Sequence, residues 1–168
     1  NRLTHSLEVA CVGRSLGNRV ARSLTGKHPV LCHTGVEEIG SIVSAACLAH
    51  DLGNPPFGHS GERAISTYFS EGKGRELYPQ LNDTEWNDII HFEGNANAFR
   101  LLTHQFNGRR SGGFALTYST LAAIVKYPYA STLSTKKGKS GFFCSESDDF
   151  RRVAADLGML PDGDSGLR

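Results

Sequence analysis

Two adjacent prolines, Pro55 and Pro56, set between Gly53-Asn54 and Phe57-Gly58, fix where this chain must turn. Pro55 lacks an amide hydrogen and biases Asn54 away from helical backbone, so a helix that reaches this point ends there. Upstream, Ile39, Ile42, Val43, Ala46, Cys47 and His50 share one face at helical spacing, after Thr34 and Glu37 in the form of a capping box. The expectation is a helix that starts near Thr34 and carries His50 on its buried side. The chain then turns sharply just after His50-Asp51.

The rest of the sequence also reads as helices. Leu7, Ala10, Cys11, Leu16, Val20 and Leu24 recur at helical intervals between Thr4 and Leu24, with Gly13 and Gly17 as points of close packing. A short helix is expected from Gly61 to Phe69, a loop through Gly72, Gly74 and Pro79, and a long helix from Asp83 to about Phe106. Arg109 and Arg110 fall in a polar loop between Gly108 and Gly113. Thr117 to Lys126 forms a further helix stopped by Tyr127-Pro128, and Ser147 N-caps a helix through Leu157 that Gly158 ends. Strand-like alternation is confined to a weak stretch from Gly113 to Tyr118, and no internal repeat is visible. The fold class expected is all-α, with residues 1–168 as a single domain.

Charge and composition exclude several classes. A formal net charge of +1 provides no global basic field, so nucleic acid as an effector finds no support in it. No apolar run approaches the roughly 20 residues that span a bilayer, which points to a soluble, cytoplasmic protein without a membrane partner. Cys11, Cys32, Cys47 and Cys144 form no CxxC pair and read as reduced, partly buried thiols. The N-terminus, Asn1-Arg2-Leu3-Thr4-His5, has neither an initiator Met nor a leader pattern and suggests a fragment.

The chemistry concentrates on histidine. His50-Asp51 closes a helix beside a turn open to solvent, and His5 at the start of an earlier helix is a natural third ligand for a divalent ion. A hydrogen-bonded core histidine with a capping aspartate would give the same doublet. His59 and Glu62 have the spacing at which a carboxylate holds one ring nitrogen while the other faces a substrate. A helix-start carboxylate beside a surface histidine has that spacing too. His91 and Glu93 cannot share a helix face but could flank a cleft. Gly138-Lys139-Ser140 lacks the earlier glycine and strand of a P-loop, since position 133 is Leu133, and Asn82-Asp83-Thr84 is a sequon without a secretory signal. Lys136, Lys137 and Lys139 read as a solvated basic loop, with contact to polyphosphate or nucleic acid as the alternative.

Taken in order, these segments resemble the HD-domain deoxyguanosine triphosphate triphosphohydrolases, the dGTPases and dGTPase-like proteins. The resemblance is carried by Asn1 to Val9, by Ala49-His50-Asp51-Leu52-Gly53-Asn54-Pro55-Pro56-Phe57-Gly58-His59-Ser60-Gly61-Glu62, by His91 to Ala96 and by Thr120 to Pro128. It implies an HD-domain helical bundle truncated at both ends, with the C-terminal part of the fold absent. It further implies His5, His50 and Asp51 as ligands of a divalent metal (Mg, Mn or another transition metal), polarising the α-phosphate and acidifying a water. His59 and Glu62 would be catalytic, Arg2 would meet a phosphate, and Asn54, Lys126 and Tyr127 would contact substrate. The implied reaction is hydrolysis of a deoxynucleoside triphosphate to deoxynucleoside and triphosphate by a homo-oligomer. The family's fourth ligand, an Asp in an Ala-Asp-Asp-Ile-Tyr helix, has no match here: Asp148, Asp149, Asp156, Asp162 and Asp164 lie in other surroundings. Ser140 also stands where the family more often has an aromatic. Two alternatives remain: an HD phosphohydrolase of other specificity, and an inactive nucleotide-binding or assembly module.

Overall fold

A computed structural model describes residues 1–108, 111–133 and 138–159. The fold is all-α: among the described residues there is no strand, only an isolated bridge between Ala130 and Phe142. No described helix is long and apolar enough to cross a membrane. Two compact units divide the chain, one of residues Asn1–His50 and one beginning at Asp51.

The first unit is a pair of helices. α1 runs Arg2–Lys27, longer at both ends than its apolar pattern, and at its N-terminus the Asn1 side chain accepts from the Thr4 amide at 3.0 Å and caps it. α2 runs Ile39–Ala49 and packs on α1 through small residues. A Cβ on Gly17 would come within 2.7 Å of the Gly40 Cα, and one on Gly13 within 2.6 Å of Cys47 Sγ. The two helix glycines therefore mark the close approach that the sequence implies. The expected capping box does not form. The Thr34 hydroxyl donates to the Leu31 carbonyl at 2.8 Å, and a 3-10 turn, Val36–Glu38, precedes α2.

The second unit holds the larger core. α3 (His59–Ser70) is followed by a 3-10 segment, Lys73–Gln80, and then by α4 (Asp83–Ile90), whose N-terminus Asn82 and Glu85 close as a capping box. The single long helix expected from Asp83 to Phe106 is in fact two. Helix α4 ends at Ile90, and α5 (Gly94–Thr103) restarts because the Glu93 carboxylate accepts from the Asn95 and Ala96 amides. The weak strand pattern near Gly113 is an irregular loop in which Gly112, Gly113 and Ala115 have positive φ. α6 (Tyr118–Ile124) is capped by Thr117, and α7 (Ser147–Asp156) by a preceding 3-10 turn with Glu146 at the cap, so Ser147 is the first helical residue and not the cap. Gly158 ends α7 in left-handed backbone at φ 64°, as expected. Arg109, Arg110, Lys136, Lys137, Asp162 and Asp164 lie outside the described residues.

Phe99, Phe150, Val153 and Ala154 form the center of this core, with Phe142 stacked on Phe150 at 4.4 Å between centroids. Each buried phenylalanine contributes roughly 1.5 to 3 kcal/mol. The four cysteines are free thiols, but Cys11 and Cys32 are exposed and not partly buried as expected. Burial and a hydrogen bond to Asp88 push the Cys144 thiol up to about 12. Since the thiolate is the nucleophile, alkylation at pH 8 followed by peptide mass mapping is expected to label Cys11 and Cys32 well before Cys144.

Candidate functional site

The turn after His50-Asp51 is built by close backbone approach. Gly53 lies against the first turn of α5, where a Cβ would collide with the Gly94 carbonyl and the Ala98 amide. Asn97 Nδ2 secures it by donating to the Gly53 carbonyl at 2.9 Å. Phe57 adopts φ 66° and Gly58 φ 54°, both in left-handed backbone, and α3 begins at the next residue, His59. Phe57 is 87% exposed, so no packing of its ring offsets that strain of about 1 to 3 kcal/mol.

His59 and Glu62 meet as their spacing implies. Glu62 is buried, and its Oε2 accepts from His59 Nδ1 at 2.7 Å while its Oε1 accepts from the Gly94 amide at 2.9 Å. A neutral His59 held in this way keeps its Nε2 lone pair free, and its side chain is 77% exposed. Burial alone would raise the Glu62 carboxyl. The His59 hydrogen bond, the Gly94 amide and the Lys139 charge outweigh burial and hold it below the ordinary range. Glu62 therefore stabilises the fold above the ordinary glutamate range, and that contribution is lost as pH falls through its lowered value.

In the first unit, His50 is the C-cap of α2 and is exposed, not on the buried face expected from periodicity. Helix α2 stops at Ala49, and His50 Nδ1 folds back to donate to the Cys47 carbonyl at 2.7 Å. A carbonyl can only accept, so that bond places the ring proton on Nδ1 and leaves Nε2 as the nitrogen with the character of a metal ligand. The His5 ring stands edge-on to His50 at 5.3 Å between centroids. Asp51 follows across one peptide bond as the first residue of the second unit, and its Oδ1 accepts from Asn54 Nδ2 at 2.8 Å. The two imidazoles of this unit are donors of the kind that suit a divalent transition ion.

The remaining candidates are more dispersed. Arg2 is exposed on the first turn of α1. Lys126 is exposed, with its ammonium 5.4 Å from the center of the half-buried Tyr127 ring. His91 Nδ1 donates to the Asn87 carbonyl at 3.1 Å, whereas Glu93 is 1% exposed and caps α5. Asp148 and Asp149 pair along α7 with Arg151 and Arg152. Two cavities, of about 630 and 720 Å³, open elsewhere in the second unit, and neither is lined by His59 or Glu62.

Lys139 is the contributor that composition hid. It is not a solvated loop lysine: its ammonium donates to Glu93 Oε1 at 2.7 Å and lies 3.8 Å from Glu62 Oε2. Within a run of lysines nothing in the sequence distinguishes it. Glu93, followed by Gly94-Asn95, does carry a readable helix-start signal.

The sequence from residue 2 to residue 110 matches the HD-domain family. The chain belongs to the HD-domain family. It is 49% identical to a deoxyguanosinetriphosphate triphosphohydrolase-like protein of Pseudomonas aeruginosa over 94% of its length, and 46% identical to one of Synechocystis over 95%. Identity to the deoxyguanosinetriphosphate triphosphohydrolase of Cronobacter sakazakii is 33% over 93% of the chain. These alignments cover 36%, 38% and 37% of the relatives, so the chain spans little more than a third of their length.

Proposed function

We propose that this HD-domain chain supports metal-dependent hydrolysis of deoxynucleoside triphosphates, dGTP among them, to deoxynucleoside and inorganic triphosphate. The observation that carries the proposal is the His59–Glu62 pair: a buried carboxylate, itself fixed by the Gly94 amide, orients an exposed imidazole. The names of the relatives supply the substrate class. His5, His50 and Asp51 would hold a divalent ion, which would supply Lewis acidity at the α-phosphate. Water attacks the α-phosphorus and the bond to the deoxynucleoside oxygen breaks, so triphosphate leaves intact. His59, oriented by Glu62, moves a proton at Nε2 to or from the reacting oxygens. Arg2 would meet a phosphate, a role suited to its forked donors and permanent charge, and Asn54, Lys126 and Tyr127 would contact substrate. The protein works as a cytoplasmic homo-oligomer.

The alternative reading is nucleotide binding without turnover. A substrate panel with Mn²⁺ tests the proposal: dGTP is consumed and dGMP is not. Consumption of dGMP or of a phosphodiester instead would assign the site to another HD phosphohydrolase activity. Thermal stabilisation by dGTP with no product would favour the binding module.

A further inference from the structure

Two carboxylates are buried side by side in the second unit, and a single ammonium serves both. Glu93 is 1% exposed. Its Oε1 accepts from Lys139 Nζ at 2.7 Å and from Asn95 Nδ2 at 2.8 Å, and its Oε2 accepts from the Asn95 amide at 2.6 Å. Glu62 is 7% exposed, and the same Lys139 Nζ lies 3.8 Å from the Oε2 that binds His59. Gly94 links the two carboxylates through the backbone, because its amide donates to Glu62 and it follows Glu93 directly at the start of α5.

We propose that Lys139 is a positioning residue for the His59–Glu62 pair: held by Glu93, its ammonium balances the charge of Glu62, which remains an acceptor toward His59. The proposal rests on the catalytic reading of that pair. Two buried carboxylates with no cation between them would share a proton, since like charges at such range disfavour joint ionisation. A protonated Glu62 could donate to His59 Nδ1 and would leave the ring in the wrong tautomer for a base at Nε2. Lys139 prevents this through the charge it holds beside both carboxylates. The titratable groups around Glu62 are His59 on α3, Lys139 itself and, beyond that ammonium, Glu93, with Tyr127 close enough to act on Lys139. The charge of Lys139 is secure. Burial would lower its value, but the hydrogen bond to Glu93 and the attraction of both carboxylates outweigh burial and raise it.

The test is a carbon-13 NMR titration of the glutamate carboxyls in the intact, unliganded chain, with the Glu62 resonance assigned by Glu62→Gln. Lys139→Met is expected to raise the Glu62 midpoint by about one pH unit or more, a tenfold change in proton affinity, and Lys139→Arg is expected to restore it. If Lys139→Met does not fold, Lys139→Met combined with Glu93→Gln removes both buried charges. Glu62 in that double variant is expected to titrate higher than in Glu93→Gln alone. An unchanged Glu62 midpoint in a folded variant without Lys139 would overturn the proposal, as would failure of Lys139→Arg to restore it. Because the readout needs no turnover, it stands even if dGTP is not hydrolysed. Where dGTP is hydrolysed, the acid limb of the rate profile moves upward with the midpoint in Lys139→Met.

Discussion

His59→Ala is expected to lower triphosphate release from dGTP by roughly a hundredfold to ten-thousandfold, the range that a positioned acid or base contributes. The fold should survive the change, since the His59 side chain is 77% exposed and buries little apolar surface. Glu62→Gln should cost a loss in the same range for a different reason. The glutamine oxygen can still accept from the Gly94 amide, but its NH₂ then faces His59 Nδ1 and forces the opposite ring tautomer. Initial rates with dGTP and Mn²⁺, measured beside thermal midpoints, separate these effects from unfolding. A His59→Ala protein that keeps its rate and its midpoint would remove His59 from the chemistry.

The second large effect falls on the backbone. Gly53→Ala is expected to destabilise the chain by about 3 kcal/mol, at the upper end of what overpacking costs, because the new methyl meets α5 backbone and no flexible side chain. The Ala98 Cα alone would be 2.9 Å away, and separating the turn from α5 would also break the Asn97 bond to the Gly53 carbonyl. Gly26→Ala is the matched control: it lies inside α1 with nothing within 4 Å of the added carbon. There the expected change is a gain of about 0.5 to 1 kcal/mol from helix propensity. Urea midpoints at constant slope give both numbers. Equal midpoints for the two variants would show that the turn tolerates separation from α5.

The sequence made visible those features that depend on neighbouring residues. Gly13 and Gly17 announced the α1–α2 contact, Pro55 and Pro56 the turn, and the spacing of His59 and Glu62 their hydrogen bond. Features set by competition between local and distant partners were not visible. Thr34 had two ways to bond, and its hydroxyl satisfied Leu31 in place of the capping box. The apolar face from Trp86 to Leu102 spans both α4 and α5, so periodicity could not show that Glu93 caps a new helix within it. His50 shares the spacing of a buried face, yet its place at the last turn of α2 lets the ring fold onto the Cys47 carbonyl. Lys139 was the least legible, because its partners Glu62 and Glu93 are distant in sequence and only the fold brings them to one ammonium.

The most direct test of the account is to incubate the chain with dGTP and Mn²⁺ and resolve the products by ion exchange, alongside His50→Ala. Deoxyguanosine and inorganic triphosphate are expected in equal amounts from the unaltered chain, and neither from His50→Ala. Release of orthophosphate or pyrophosphate in place of triphosphate, or equal turnover by His50→Ala, would contradict it.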